Sequence, residues 1–230
     1  WGRVGRLLGF LEQMQIPLST ARDRLGVPGM SEAVARNFRE KNRMKTKLRE
    51  AGLPVARQAL IGGAEEAHKF VREVGYPIVL KPPAGLGSKA TVRVADDEQL
   101  YAALADLFVS PSNPAQGEEF IRGVADTFET ITIGGRPVWH SSSFSLPGPL
   151  LVLENPWIQY CVMLPREQLL PHAEKFRPIN VAALQALGVG TALTHMEWFL
   201  RADGSMVISE VAARPPGVHL MPMMGLCHGV

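Results

Sequence analysis

Cysteine is scarce in this sequence. Cys161 and Cys227 are the only two, too few and too far apart for a disulfide framework, which suits a reducing compartment. Long apolar runs are missing too: nothing approaches the roughly 20 residues of a membrane span. The short run Leu7 to Leu11 is stopped by Glu12, so neither a membrane partner nor a secretory leader is expected, and the expected location is cytoplasmic. Charge of one sign is not in excess, since 24 Lys and Arg against 22 Asp and Glu give a net charge of +2, which singles out no general partner. No segment repeats and none is of low complexity. What remains is an ordinary globular composition, 46% hydrophobic and 20% charged over 230 residues, with length for a large core or two subdomains. The chain opens on Trp1 inside an amphipathic pattern and stops at Val230 in a Met-rich apolar segment; it is expected to be a fragment of something longer.

The stretch that organises the reading is Thr194 to Gly217, THMEWFLRADGSMVISEVAARPPG. Apolar runs flank Asp203-Gly204, a strong hairpin signal. With those two residues as the loop, Ala202 pairs with Ser205, and counting back sets Glu197 opposite Glu210 on one face. Cross-strand neighbours sit about 4.5 to 5.5 Å apart at Cβ, where like charges are destabilising. A divalent cation between them resolves the conflict, and Mg2+ needs only one or two protein carboxylates; two solvated glutamates on an edge hairpin are the plainer alternative. Arg214, four residues after Glu210 and just before Pro215-Pro216-Gly217, adds a guanidinium suited to an anion with developing charge. His195 shares the Glu197 face across from Ala212 and reads as a structural histidine.

Along the chain, a short helix is expected over Val4 to Gln15, then a Pro/Gly-punctuated connection. Ser31 is placed to cap a helix running to about Ala51 and ending at Gly52. Its apolar stripe is Val34, Phe38, Met44, Leu48 and Ala51, and Lys41 falls on it, so Lys41 must snorkel or meet an anion. The surrounding Arg36, Arg39, Arg43, Lys45, Lys47 and Arg49 read as a solvated face. A nucleic-acid patch would need interleaved aromatics or a binding motif, and neither is present.

Strand, helix and strand follow at Val55 to Ile61, Ala64 to Val74 and Pro77 to Lys81. The loop Ala84 to Lys89 then leads to a strand, Thr91 to Val94, and a helix, Asp96 to Leu107. Gly85 and Gly87 let backbone N–H groups approach phosphate oxygens, and Ser88 and Lys89 add donors. The third glycine of a dinucleotide fingerprint and the spacing of a Walker loop are both absent. Val109 to Gly117 reads as a loop, and Glu118 begins a new alternation. A hairpin at Phe128 to Ile133 and Pro137 to Ser143 turns on Gly134-Gly135. An irregular stretch, Leu146 to Pro156, precedes a strand, Ile158 to Leu164, and a helix, Arg166 to Leu187. The second half is therefore a mostly antiparallel sheet with the Glu pair at one end.

Lys41 in an REK..MK helix ahead of AGLPV, YPIVLKPPAGLGSKATVRV around Lys81, EEFIRG at Glu118, THMEWFL at Glu197 and SEVAARPPG at Glu210 occur in that order. Together they resemble the ATP-grasp superfamily, in particular its carboxylate-amine ligase branch, over residues 36 to 230. The resemblance implies an α+β ATP-grasp fold, two α+β subdomains gripping ATP between them. Residues 1–35 would be the tail of a preceding domain, 36–117 the lid with its leading helix and 118–230 the C-terminal subdomain.

By that resemblance Lys41 and Lys81 contact nucleotide phosphates, and Gly85 to Lys89 close over them. Glu118, Glu119, Phe120 and Ile121 form the hinge, with adenine read by the backbone of Glu119 and Ile121. Asp126 and Glu129 are both candidates for the ribose. Glu197 and Glu210 hold Mg2+, and Arg214 faces the phosphorylated carboxylate. The implied reaction joins a small-molecule carboxylate to an amine through an acyl phosphate at the expense of ATP. A kinase or carboxylase-like acceptor and a non-catalytic nucleotide-binding module are the alternatives. Ala212 stands where many members carry Asn, which puts a second Mg2+ in doubt. The sequence fixes neither the substrates nor the oligomeric state; a homodimer is one of the open options.

Overall fold

The structure is a computed structural model describing residues 2–82, 91–159, 161–166, 171–217 and 219–229. Residues 2–11 carry no regular structure, contrary to the helix expected from Val4. Gly5 and Gly9 interrupt that window, each costing about 1 kcal/mol against Ala in a helix. The helix begins instead where a loop was expected, as α1 (Gln15–Leu25). Pro17 lies in its first turn, where a missing N–H costs nothing.

Ser31 caps α2 (Glu32–Arg39), its Oγ accepting from the Val34 N–H at 3.4 Å. The single helix expected up to Ala51 is two. Glu40 is extended (φ −94°, ψ 101°) and α3 (Lys41–Glu50) starts afresh behind it. Lys41, Met44, Lys45 and Leu48 face inward from α3, while Ala51 is exposed.

The first sheet contains β1 (Gln58–Ile61), β2 (Ile78–Lys81), β3 (Val92–Val94) and β4 (Ala115–Glu119), with α4 (Ala64–Val74) and α5 (Asp97–Asp106) between them in sequence. Strand order is β1-β4-β2-β3, every pairing antiparallel. Ile61, Ile78, Leu80 and Val94 pack beneath α4 and α5 through Phe70 and Leu100. Two expectations shift here. The strand expected from Val55 starts at Gln58, and the loop expected through Gly117 gives way at Ala115 to β4, a central strand of this sheet. The first sheet thus runs on to Glu119.

The second sheet is built from β5 (Val124–Ile133), β6 (Arg136–Leu146), β7 (Cys161–Met163), β8 (Ala192–Leu200) and β9 (Met206–Ala212), in the antiparallel order β7-β6-β5-β8-β9. The β5–β6 turn falls at Gly134-Gly135 as expected. A short α6 (Pro149–Glu154) occupies part of the stretch expected to be irregular, and α7 (Pro171–Leu187) and α8 (Leu220–His228) complete the fold. Phe128, Met196, Trp198 and Ile208 form the sheet's apolar face, packed with Phe176, Leu184 and Leu187 of α7 and with Met44 and Leu48 of α3.

Each sheet is thus apolar on one face only. The two are stitched together where Ile208 N–H donates to Pro54 O at 2.8 Å. Between β4 and β5 the chain passes so close to β8 that a Cβ on Gly123 would lie 2.5 Å from Leu200 O, which requires glycine there. Truncating a core side chain at this junction should be expensive. Leu48→Ala, fully buried, is expected to cost about 2 to 5 kcal/mol in a denaturant titration, whereas exposed Leu226→Ala should stay within about 0.5 kcal/mol.

Candidate functional site

The β8–β9 hairpin pairs Glu197 with Glu210 and His195 with Ala212, as expected, but by a different route. Arg201 N–H bonds Ser205 O at 2.9 Å, which makes a three-residue loop with Gly204 at φ 78°. Leu200 therefore pairs with Met206, one residue away from the register a two-residue loop would give. A β-bulge beyond Trp198, with Ser209 as the extra residue, takes that shift back. The two departures cancel, and both carboxylates reach the polar face.

Helix α3 supplies the cations. Lys41 and Lys45 stand one turn apart on its inner face. Lys41 Nζ bonds Glu210 Oε2 on the second sheet, so the lysine that interrupted the apolar stripe meets an anion. Lys45 departs from the solvated basic run that the sequence predicts. It is instead fully buried, its Nζ 2.7 Å from Glu118 Oε1 on the first sheet. The same oxygen receives Lys81 Nζ at 2.8 Å. The spacing from Lys41 and the flanking Met44 and Leu48 were the signal that could have marked Lys45. Elsewhere in that run Arg36 pairs with Glu32 and Glu40, and Arg43 bonds Asn37.

These pairs set the protonation states. Burial alone would favour a neutral Glu118, but the Lys45 and Lys81 ammoniums hold its pKa at about 2. Burial draws Lys45 down to about 8 against the pull of Glu118, and Lys81 is raised by Glu118 and Glu210 in spite of its burial. Desolvation of the cleft opposes ionisation of Glu197, yet His195, Lys41 and Lys81 keep its carboxyl well below the usual range. Both lysines thus act on the Glu197–Glu210 pair across the gap between the sheets.

His195 is more than packing. Its Nδ1 is 2.7 Å from Glu129 Oε1 and its Nε2 is 3.5 Å from Glu197 Oε1. Although burial opposes charge on the ring, the two carboxylates raise its pKa to about 9, which makes it an imidazolium. The chain of contacts continues from Glu129 Oε2 to Thr127 Oγ1 (3.1 Å) and on to Ser143 Oγ (2.7 Å). Glu129, a ribose candidate, therefore has both oxygens engaged inside the sheet. Asp126, the other, faces the opposite side and meets His172 at 2.6 Å.

In the segment expected to be the hinge, Glu119 N–H donates to Arg57 O at 3.0 Å and its carboxylate accepts from the Arg57 backbone and guanidinium. Phe120 lies under the Arg93 guanidinium, 5.7 Å from the ring centre, and Ile121 is buried with Ala56 and Val207. The structure does not bring Arg214 onto the Glu pair; its guanidinium bonds Glu12 and the Pro215 carbonyl. Gly85, Gly87, Ser88 and Lys89 lie outside the described residues.

Among the described residues no group of three or more His, Cys, Asp or Glu is arranged to hold a metal ion. Glu197 and Glu210 do fit Mg2+, which asks the protein for one or two carboxylates, and a cation, Lys41, already sits on one of them. No helix among the described residues is long and apolar enough to cross a membrane.

Residues 40–121 match the family described as carbamoyl-phosphate synthase L chain, ATP binding domain. Over 99% of its length the chain is 26% identical to the carbamoyl phosphate synthase large chain of Kocuria rhizophila, covering 21% of that protein. Over 90% it is 29% identical to alanine–anticapsin ligase of Bacillus subtilis, covering 47%. The L-amino acid ligase from Bacillus licheniformis aligns in three dimensions with a TM-score of 0.70 at 24% identity, over 96% of this chain and 50% of that one. The chain therefore spans about a fifth to a half of the length of these proteins. Two sheets turning their polar faces and lysines toward one cleft form the ATP-grasp fold, and in sequence the chain is similar to members of the ATP-grasp superfamily. Within it, the similarity is to the carboxylate-amine ligase branch.

The Glu118 pair carries a testable pH dependence. A carboxyl whose folded pKa is depressed adds stability above its unfolded value, here 4.5, and loses it as pH falls through about 2. The stability advantage of the wild type over Glu118→Gln should be full at pH 6 and narrow steadily from about pH 4.5 downward in urea titrations. An advantage independent of pH would refute the ion-pair assignment.

Proposed function

We propose that the protein carrying this chain is a Mg2+-dependent, ATP-driven carboxylate-amine ligase acting on small-molecule substrates. The observation that supports this most is the convergence of Lys41, Lys81, Glu197 and Glu210 where the two sheets meet. In this reading residues 1–35 lead into a lid that ends with β4, the hinge is Glu118 to Ile121, and the second sheet is the base.

Lys41 and Lys81 would bind the phosphates, and the loop Gly85 to Lys89 would add backbone and side-chain donors. Glu197 and Glu210 would hold Mg2+, which when bound offsets charge on the phosphate oxygens. Lys41 would have to leave Glu210 for this to happen, and Glu210 would then be free to hold the ion. The His195 imidazolium holds Glu197 from behind. With the γ-phosphate so placed, the substrate carboxylate oxygen attacks it, ADP departs, and an acyl phosphate forms. The amine then attacks the acyl carbon, phosphate leaves, and the nitrogen loses a proton to give the amide. Arg214, once released from Glu12, would steady the charge on the transferring group.

Thermal unfolding with and without Mg2+ plus a non-hydrolysable ATP analogue tests the nucleotide site. Ligand at about a hundred times its Kd should stabilise the chain by about 2.7 kcal/mol; this gain should require Mg2+ and vanish in Glu197→Gln/Glu210→Gln. No shift in the folded wild type would overturn the reading. For the reaction, Arg214→Ala should lower amide formation per turnover about 100-fold or more. Steady ADP release without amide, over a panel of carboxylate and amine pairs, would point instead to another acceptor.

A further inference from the structure

Both lysines proposed to hold phosphate are bound to carboxylates in this structure, Lys41 to Glu210 and Lys81 to Glu118. A nucleotide must win each of them away. Mg2+ can take the place of Lys41 on Glu210, but nothing comparable reaches Glu118, which lies in the middle of the first sheet with its side chain 7% exposed. A buried carboxylate stripped of its partner is strongly unfavourable. If Lys81 were the sole cation on Glu118, its departure would tax every binding event.

Lys45 is the second cation there. It shares Glu118 Oε1 with Lys81 at nearly equal distance, 2.7 against 2.8 Å. The two differ in access, since the Lys45 side chain is 1% exposed and that of Lys81 is 14% exposed. Lys45 is fully buried on the inner face of α3 and cannot follow a phosphate into the cleft. We propose that Lys45 is the resident counter-ion of Glu118, a positioning residue that stays behind so that Lys81 can exchange its carboxylate for a nucleotide phosphate. The proposal rests on the nucleotide reading above. Glu118 thereby becomes the resting place of Lys81, keeping its ammonium aimed at the cleft before the nucleotide arrives.

A double-mutant cycle tests this, with Mg2+ and a non-hydrolysable ATP analogue titrated into wild type, Lys45→Met, Glu118→Gln and the double variant by calorimetry. In Lys45→Met, Lys81 is the sole counter-ion of Glu118, and Kd should rise tenfold or more. Adding Glu118→Gln should recover most of that loss, because the carboxylate that traps Lys81 has lost its charge. A double variant as weak as Lys45→Met would mean that Lys45 touches the nucleotide itself, and an unchanged Kd with a lowered melting midpoint would mean that it only packs; either overturns the proposal. Should Lys45→Met fail to fold, the comparison of Glu118→Gln with the double variant decides: loss of Lys45 should then change Kd less than threefold, and a tenfold loss refutes it. A wild type that binds no nucleotide would sink the functional reading. The ligand-free melting midpoints of the four proteins would still judge the ion pair, with non-additivity supporting it and additivity refuting it.

Discussion

A carboxylate buried between two ammoniums is the constraint on which this molecule's cleft depends. Glu118 projects from a central strand of the first sheet, where water cannot neutralise it, so its charge must be met by protein. Lys81 comes from the neighbouring strand and Lys45 from a helix that belongs mainly to the core of the second sheet. The pairing is therefore also a tie between the two halves. One turn further toward its start, the same helix places Lys41 on Glu210. A single helical face thus joins one carboxylate of each sheet.

Charge balance around the cleft is close. Lys41, Lys45, Lys81 and the His195 imidazolium stand against Glu118, Glu129, Glu197 and Glu210. Such a network is costly to bury and costly to break, but it is cheap to rearrange when one partner replaces another of like sign. In the proposed reading, a metal ion for Lys41, or a phosphate for Glu118, would exchange contacts without leaving a bare charge. This is the physical reason why a cleft lined by mutually satisfied ion pairs suits a polyanionic ligand carrying its own dication.

The hairpin shows how local irregularity serves the same end. An alternating strand without its bulge would have set Glu210 off register from Glu197 once the loop closed at Arg201 and Ser205. The extra residue Ser209 corrects the register and leaves both carboxylates facing the lysines, while Trp198 and Ile208 keep their places in the core below. Behind Glu197, the line from His195 through Glu129 and Thr127 to Ser143 anchors the site across the sheet.

Much of this was legible along the chain. Alternation and turn residues marked most strands of both sheets but not β4, apolar spacing marked α4 and α7, and opposed glutamates in a hairpin raised the question that a cation answers. These are local properties, governed by side-chain periodicity and backbone preference. Elsewhere the sequence misled. It did not show that the helix after Ser31 breaks at Glu40, that β4 belongs to the first sheet, or that Lys45 is buried while Arg36 and Arg43 beside it are not. Each depends on what a residue meets across the fold. A lysine in a basic run looks solvated until a carboxylate more than seventy positions away, on another sheet, arrives within 2.7 Å of it. By itself the sequence determined most of the elements and the kinds of charge available; only the tertiary structure decided which charges would be shut away from water, because burial and pairing are properties of the assembled sheets.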